Sequence, residues 1–240
     1  MNNLLKFTID AHGGLENWRK FESITAHLKT GGITWALKQV SGIMDEINVL
    51  SSTIKQNVSF YPFIKDGWYN TYEPNKVTII DEQNILVDQL YFPRNSFKGY
   101  TTQTPWSKLQ LTYFTGYAMW TYLNAPFCFA DAGYDVKEIE PWSEDGQLYR
   151  RLQITFPNEI ATHSKIQVFY IDETGLFKRQ DYNVEILDNA ASVHYIRDYT
   201  EVQGVKFPTS RNVYKRNDDN TALVPNPLFI SISLSNIKLS

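Results

Sequence analysis

The stretch ATHSKIQVFYIDETGLFKRQDYNVEILDNAASVHYIRDY, residues 161–199, alternates apolar and polar side chains along three successive segments. Alternation with a period of two residues is typical of β-strands that bury one face. The turn sequences DETG, at residues 172–175, and LDNA, at residues 187–190, separate the segments and favour tight hairpins. The stretch therefore predicts antiparallel strands that follow one another along the chain.

The first turn predicts a strand register. Asp172 and Gly175 occupy its first and fourth positions, which is the signature of a type I turn whose glycine forms a bulge. Such a loop pairs Asp172 with Leu176 and, counted outward, puts Gln167 opposite Asp181. A two-residue loop would mix charged and apolar side chains on one face, so the bulged register is preferred.

The second turn predicts the pairing of the next two strands. Asp188 and Asn189 tolerate a positive φ, so residues 187–190 fit a two-residue hairpin. The resulting register puts Arg179 opposite Asp198 and predicts a direct approach of these two side chains.

Together the two registers sort the side chains of this stretch onto two faces. The predicted polar face carries His163, Lys165, Gln167, Arg179, Asp181, Asn183, Glu185, His194 and Asp198. The predicted apolar face carries Ile166, Val168, Tyr182, Val184, Val193 and Tyr195. The polar face is either a solvated sheet surface laced with ion pairs or a functional site. Two histidines with carboxylates and an arginine could bind an anion, a metal or a proton-shuttling substrate.

The same alternation extends over most of the chain. Further strands are predicted near residues 23–29, 33–38, 44–50, 53–60, 67–72, 76–80, 84–92, 136–140, 147–156, 204–214 and 228–239. A helix over residues 2–12, ended by Gly13 and Gly14, and a short helix that carries Trp18 precede them. Because no linker, repeat or low-complexity tract interrupts residues 1–240, the sequence predicts a single domain.

One segment, residues 104–126, breaks the alternation and predicts an inserted helix near residues 105–123. Thr104 can cap its first turn, Pro105 suits the first helical position, and Pro126 cannot continue it. One face of this helix carries Trp106, Leu109, Tyr113, Gly116, Trp120 and Leu123. A glycine within a stripe of large residues predicts that a neighbouring strand approaches closely there.

Composition and motifs limit the classes of function. The chain has a net charge of −3 and no basic stripe, which argues against nucleic acid as a partner. Its one cysteine, Cys128, cannot form an internal disulfide and is interpreted as a small buried apolar residue. Phosphate-binding, nucleophile-elbow and zinc-binding motifs do not occur in the sequence, so we expect no cofactor and no metal.

The amino-terminal residues bear on localisation. The segment MNNLLKFTIDAHGG lacks the basic region and the long apolar region of a secretion signal. No later segment is long and apolar enough to predict a transmembrane span. The sequence as written therefore predicts a cytoplasmic protein, with a periplasmic location as the alternative if the sequence is a processed form.

Several phrases of the sequence resemble bacterial proteins of the lipoprotein-carrier superfamily typified by LolA and LolB. These phrases are AHGGLENW at residues 11–18, TGYAMWTYLNAPF at 115–127, GLFKRQDY at 175–182 and HYIRDYTEVQGVKFPTSRNVY at 194–214. The order of the predicted elements resembles this superfamily over most of the chain. The resemblance implies a mainly β (α+β) fold, in which a strongly curved antiparallel sheet forms an unclosed half-barrel around the helices. It also implies an apolar cavity between sheet and helices that holds acyl chains.

Two functional hypotheses follow. The first is a non-enzymatic binding or carrier protein for a hydrophobic, lipid-like small molecule, held by aromatic side chains. The candidate ligand contacts are Trp35, Trp68, Trp106, Tyr113, Tyr117 and Trp120. The second is an enzyme that acts on a hydrophobic substrate through His163, Arg179, Asp181 and His194. The position of these four residues discriminates between the two, because an outer sheet face cannot serve an internal cavity.

Overall fold

The computed structural model describes residues 1–225 and 227–240. Its α-helices are α1 (Asn3–Ala11), α2 (Leu15–Trp18), α3 (Thr34–Leu37) and α4 (Lys108–Asn124). Short 3-10 helices occupy Pro93–Phe97, Phe127–Ala130 and Glu185–Leu187. The strands are β1 (Ser23–Gly31), β2 (Glu46–Ser52), β3 (Val58–Tyr61), β4 (Tyr69–Glu73), β5 (Lys76–Ile80), β6 (Leu86–Tyr91), β7 (Asp135–Glu144), β8 (Gln147–Thr155), β9 (Ile166–Ile171), β10 (Phe177–Val184), β11 (Ala190–Val202), β12 (Val205–Lys215) and β13 (Ile230–Leu239).

Within the described part of the chain, thirteen strands form one antiparallel sheet. Their order is β6-β5-β4-β3-β2-β1-β13-β12-β11-β10-β9-β8-β7, so β1 and β13 join the two halves of the chain. The sheet does not close, because β6 and β7 are its two edges. The predicted unclosed half-barrel is therefore confirmed. Because the sheet is continuous through both halves, we propose that residues 1–240 form a single domain.

Helix α4 lies against the first half of the sheet, where it contacts β2 to β6. Every residue from Leu109 to Asn124 is buried, as is typical of a helix enclosed by protein on all sides. The helix begins later than predicted, because Ser107 and Gln110 form a capping box. The backbone N–H of Gln110 donates to Ser107 Oγ at 3.2 Å, and the backbone N–H of Ser107 donates to Gln110 Oε1 at 2.9 Å. We call the sheet face toward α4 the inner face.

The close approach predicted at Gly116 is present. A Cβ atom at this position would lie 2.2 Å from Cγ and 2.4 Å from Cβ of Tyr72, a buried residue of β4. Glycine is therefore required here by the helix-to-sheet distance rather than by a special backbone conformation.

The segment predicted as a strand at residues 33–38 is a short helix, so that prediction is wrong. Strand β1 ends at Gly31, and Gly32 then adopts a φ of +97°, which turns the chain out of the sheet. The backbone N–H of Leu37 donates to the carbonyl of Ile33 at 3.1 Å, which closes one helical turn. The turn buries Trp35, so the apolar residues of this segment still face the core.

The first predicted turn is confirmed, but the register beyond it is wrong. The N–H of Asp172 donates to the carbonyl of Leu176 at 3.0 Å, and Gly175 has a φ of +88°. The register then shifts between Phe177 and Arg179, so that Asp181 lies opposite Val168 rather than opposite Gln167. The extra residue of this β-bulge moves each later side chain of β10 to the other face.

The second predicted turn has the expected backbone but a longer loop. Asp188 and Asn189 have φ values of 53° and 54°, as their residue types suggested. Strand β10 nevertheless ends at Val184, which pairs with Ala190, because residues 185–187 form a 3-10 helix. Arg179 therefore lies opposite Tyr195, and the predicted approach of Arg179 to Asp198 is wrong.

These two shifts divide the predicted polar face between both sides of the sheet. On β9 to β11, Gln167, Tyr182 and His194 share the inner face, whereas Val168, Arg179, Asp181, Val193 and Tyr195 share the outer one. The prediction of one common polar face is therefore wrong. Relative to the residues of β9, Tyr182 and Asp181 have exchanged faces, because the bulge adds one residue between the turn and both of them.

Candidate ligand-binding site

An apolar cavity of about 370 Å³ opens between α3, the loop at residues 102–103, α4 and strands β10 to β13. Its apolar lining residues are Leu37, Phe114, Tyr182, Val184, Leu187, Ala190, Ala191, Val213, Phe229 and Ile230. Its polar lining residues are Thr34, Lys38, Thr102, Gln103, Ser192 and Lys215. The volume lies within the range of small-molecule sites, roughly 300–1,000 Å³, and such sites are mostly apolar with a few polar groups.

The strand pairing explains why space remains on the inner face here. Tyr182 lies opposite Ser192, and Val184 lies opposite Ala190. Each larger side chain of β10 therefore faces a small one on β11 across the pair. The small residues leave room between the sheet and Phe114 of α4, which forms the facing wall.

Lys38 fixes one rim of the cavity. Its Nζ donates to the carbonyls of Thr101, Thr102 and Thr104 at 2.9, 2.9 and 3.1 Å. It also lies 5.1 Å from the ring centroid of Trp106. Burial lowers the pKa of Lys38 to about 8, but the three carbonyls satisfy the ammonium in its charged form. This side chain therefore holds the loop at residues 101–104 in place over the cavity.

A second, much smaller pocket of about 30 Å³ lies on the other side of Phe114 and Ile230, which line both spaces. Its remaining lining residues are Leu28, Thr30, Trp35, Met44, Thr115, Ala118, Met119, Tyr122 and Ile232. Apolar space therefore continues from the cavity toward the interior of the half-barrel, interrupted by two side chains.

A cluster of buried aromatic and imidazole rings lies on the inner face beside the cavity. His163 is stacked on Tyr182, with ring centroids 4.1 Å apart and an interplanar angle of 5°. Its Nδ1 lies 3.2 Å from Tyr117 Oη and its Nε2 lies 2.8 Å from Tyr122 Oη. Burial lowers the pKa of His163 to about 3, so its imidazole is neutral at pH 7. Both ring nitrogens are satisfied, which makes His163 a structural link between the sheet and α4.

His194 and Arg211 lie on the same inner face with fewer partners. His194 is fully buried and contacts Tyr122 edge-on, with ring centroids 4.7 Å apart. Burial, with Arg211 and His163 nearby, holds the pKa of His194 well below its usual range. Arg211 is 4% exposed, and its Nη2 donates to the carbonyl of Tyr122 at 2.9 Å. Arg211 thus places a guanidinium inside the half-barrel.

Arg179 and Asp181 form an ion pair on the outer face. Arg179 Nε donates to Asp181 Oδ1 at 2.7 Å, and its Nη2 donates to Oδ2 at 2.9 Å. A second carboxylate, Glu144, accepts from Nη1 at 2.8 Å, and Tyr170 donates to Asp181 at 2.6 Å. Burial disfavours the charged form of Arg179, but the hydrogen bonds and the charge of Asp181 outweigh this effect and raise the pKa of Arg179. The arrangement is a satisfied buried ion pair.

The four residues of the enzyme hypothesis therefore do not converge. His163 is stacked on Tyr182 at the inner face, and His194 lies on that face of β11, whereas Arg179 and Asp181 lie on the outer face of β10. A single substrate cannot contact both pairs, because the sheet separates them. The cavity wall includes Tyr182 and Ser192 rather than any of these four residues.

The six predicted aromatic ligand contacts are placed as follows. Trp106, Tyr113, Tyr117 and Trp120 are buried on or beside α4, where Tyr113 and Tyr117 pack edge-on with ring centroids 5.2 Å apart. Trp120 Nε1 donates to the carbonyl of Ser52 at 3.1 Å. These four side chains fill much of the space inside the half-barrel. Their role as ligand contacts stays a prediction.

The other two aromatic candidates belong to other parts of the chain. Trp35 lines the small pocket. Trp68 directly precedes β4, in the first half of the sheet. Its Nε1 donates to Glu82 at 2.6 Å, and Lys65 Nζ lies 4.0 Å from its ring centroid. The six candidates therefore do not gather around one space. As with the four on α4, their contact with a ligand stays a prediction.

The sequence alone did not identify the residues that line the cavity. Phe114 is adjacent to the predicted Tyr113 but lies on another side of α4. Val184 was predicted only as part of an apolar strand face, and Val213 and Ile230 only as strand residues. The alternation of Ile230 with Ser231 does indicate an inward side chain. That an inward residue lines a space rather than filling it depends on the packing across the sheet.

A scan against protein-family models finds no match for this chain. A search of curated proteins finds no match either. Solved structures do share its fold. A DUF1329 family protein from Desulfovibrio piger aligns with a TM-score of 0.55 and 11% identity, covering 100% of this chain and 94% of that one.

Two further structures align at similarly low identity. A domain named as an outer membrane lipoprotein-sorting protein from Vibrio parahaemolyticus has a TM-score of 0.53 and 9% identity, covering 96% of this chain and 93% of that one. A LolA superfamily protein from Nitrosomonas europaea has a TM-score of 0.49 and 12% identity, with coverages of 94% and 91%. The chain has a LolA-like fold. The two alignments with TM-scores above 0.5 confirm the resemblance found in the sequence for the fold, and at their identity they carry nothing beyond the fold.

The LolA-like fold of this chain places its cavity between the helices and the inner face of the half-barrel. None of its described helices combines the length and the apolar character that crossing a membrane requires.

Proposed function

We propose that the protein binds and carries a hydrophobic, lipid-like small molecule in the 370 Å³ cavity. The observation that supports this most is the cavity itself, whose lining is dominated by aliphatic and aromatic side chains while Lys38 and Lys215 stand at its edge. Each buried methylene of a ligand contributes about 0.8 kcal/mol, so an acyl chain of ten such groups gains about 8 kcal/mol on entering. That gain is comparable with the cost of immobilising a small ligand.

The LolA-like fold supports the same proposal. The Vibrio parahaemolyticus domain is named for sorting lipoproteins at an outer membrane, and sorting of that kind requires a place for acyl chains. By analogy this chain works as a carrier and not as a catalyst. The same analogy favours the periplasmic alternative over the cytoplasmic one, since an outer-membrane task lies outside the cytoplasm.

A substitution that fills the cavity tests the proposal. Ala190 is a half-buried residue of the cavity wall that lies opposite Val184 on the inner face. The variant Ala190→Phe should displace at least two methylenes of a bound chain and weaken the binding of a fatty acid about tenfold. Binding is followed by Trp fluorescence, because Trp106 packs on Phe114 of the cavity wall with ring centroids 4.7 Å apart.

The matched control introduces the same side chain at Asn183, on β10 between the lining residues Tyr182 and Val184. Asn183 lies opposite Ala191 on the outer face and does not line the cavity. The variant Asn183→Phe should leave the affinity within about twofold of the original, a change of less than about 0.5 kcal/mol. Equal affinities for both variants and the unchanged protein would show that the ligand binds elsewhere, and no binding by the unchanged protein would remove the carrier function.

A further inference from the structure

Arg211 is a buried cation without a counter-ion. The side chain is 4% exposed, and among the described residues no carboxylate oxygen lies within 4.0 Å of its guanidinium. The ionisable side chains near it include His12, Tyr122 of α4, Tyr182 of β10, and His194 and Tyr199 of β11. An arginine stays charged in proteins, and a buried charge is costly unless it is paired and hydrogen-bonded.

The hydrogen bonds of Arg211 leave the guanidinium incompletely satisfied. Nη2 donates to the carbonyl of Tyr122 at 2.9 Å, and the guanidinium carbon lies 4.8 Å from the centroid of the Tyr122 ring. Nε is buried and has no hydrogen-bond partner among the described residues. One carbonyl and one aromatic face do not replace the carboxylate that a buried arginine normally pairs with.

A second unsatisfied donor lies beside Arg211. His194 is fully buried, and neither of its ring nitrogens has a partner in the described part of the chain. His194 pairs with Val213 of β12. Arg211 is two residues from Val213 on the same face, so the side chains of His194 and Arg211 are diagonal neighbours. A neutral imidazole carries one N–H. Nε of Arg211 and this N–H are therefore neighbouring donors without an acceptor.

Both residues follow lining residues of the cavity along their strands, although they do not line the cavity themselves. Ser192 lines the cavity, and His194 is the next residue of β11 on the same face. Val213 lines the cavity, and Arg211 is the next residue of β12 on that face. The two donors are thus the next residues on the inner face after the lining residues of two adjacent strands.

We infer that Arg211 and His194 bind the anionic head group of an amphiphile whose acyl chain occupies the cavity. The inference rests on the proposed carrier function and names its ligand class: a carboxylate or a phosphate monoester on an apolar chain. An oxyanion accepts from Nε of the guanidinium and from the imidazole N–H, and it supplies the missing counter-charge. Nη2 keeps its bond to the Tyr122 carbonyl.

The test compares ligands that differ only in the head group. Palmitate, hexadecyl phosphate and hexadecanol are each titrated into the full chain. The protein should bind one or both anions at least about tenfold more tightly than the alcohol, since a charge-assisted pair of hydrogen bonds exceeds 1.4 kcal/mol. The anion that binds more tightly identifies the head group.

Substitutions locate the selectivity. Arg211→Met should reduce the affinity for the preferred anion to that for hexadecanol, while the affinity for hexadecanol stays within about twofold. Its melting temperature without ligand should be equal or higher, because replacing an unpaired buried charge by an apolar side chain is often neutral or stabilising. His194→Phe should lose part of the selectivity. The control is Arg197→Met, an exposed arginine of β11 that should change neither quantity.

The possible failures are distinguishable. Equal affinity of the unchanged protein for the anions and the alcohol would overturn the head-group site while leaving the carrier function intact, and this result needs no variant. Selectivity that persists in Arg211→Met, with a lower melting temperature, would show that Arg211 has a structural role only. Binding of none of the three ligands would remove the carrier function and the head-group site together.

Discussion

Replacing Asp181 by asparagine should lower the free energy of unfolding by about 3 to 5 kcal/mol. The carboxylate accepts two hydrogen bonds from Arg179, whose side chain is 1% exposed. The amide keeps the shape but removes the charge, so the guanidinium retains only Glu144 as an anionic partner. Breaking a buried pair by removing one partner is strongly destabilising, because the other charge stays buried. Unfolding in urea, followed by fluorescence, measures the loss.

The control for this prediction is Asp198→Asn, at the position that the sequence predicted as the partner of Arg179. Asp198 is exposed and is not among the ion-pair partners of Arg179. Its substitution should change the free energy of unfolding by less than about 0.5 kcal/mol. The reverse result, a large loss for Asp198→Asn and a small one for Asp181→Asn, would restore the register predicted from the two turns.

Replacing Gly116 by alanine should lower the free energy of unfolding by about 3 kcal/mol. Helix preference alone would favour alanine by about 1 kcal/mol. The added Cβ, however, would lie 2.2 to 2.4 Å from Cγ and Cβ of Tyr72. The Cβ of Tyr72 is fixed to the backbone of β4 and cannot rotate away, so helix and strand must separate. Urea unfolding again measures the change.

Gly146→Ala serves as the control, because no atom lies within 4 Å of its added Cβ. Its φ of +76° makes the substitution cost about 1 kcal/mol through backbone strain alone. A neutral or stabilising effect of Gly116→Ala would mean that α4 does not approach β4 as closely as described.

The register shows where sequence reasoning ended. The turn residues were identified correctly, because Asp172 and Gly175 act within four residues of one another. The bulge after Phe177 could not be predicted, because its reason is tertiary. Phe177 packs inward between His12 and Phe169, with ring centroids 5.0 and 4.9 Å away.

The same bulge lets two consecutive cations point away from that interior. Lys178 reaches Asp172 at 3.1 Å, and Arg179 reaches Asp181. The positions of polar residues alone therefore did not indicate which face of the sheet is exposed to solvent. The buried histidines on the inner face and the buried ion pair on the outer one both depend on contacts with distant parts of the chain, such as α4 and Glu144.

The position of the cavity could not be predicted from the sequence, because it too depends on tertiary contacts. Aromatic content predicted which side chains enter the half-barrel. Tyr113 and Trp120 of α4, and Trp106 just before it, are indeed buried there. The remaining space lies instead beside small residues of β11, Ala190 and Ser192, whose neighbours are set by the long-range pairing with β10. Residue size indicates a gap only once the opposite residue is known.

The carrier function is tested most directly by native mass spectrometry of the protein purified from cells, followed by solvent extraction. We expect a bound species of lipid-like mass that extraction releases, and quenching or a shift of Trp fluorescence when a fatty acid is added back. A mass equal to that of the polypeptide alone, together with unchanged Trp fluorescence over a full titration with fatty acids, would contradict the carrier function.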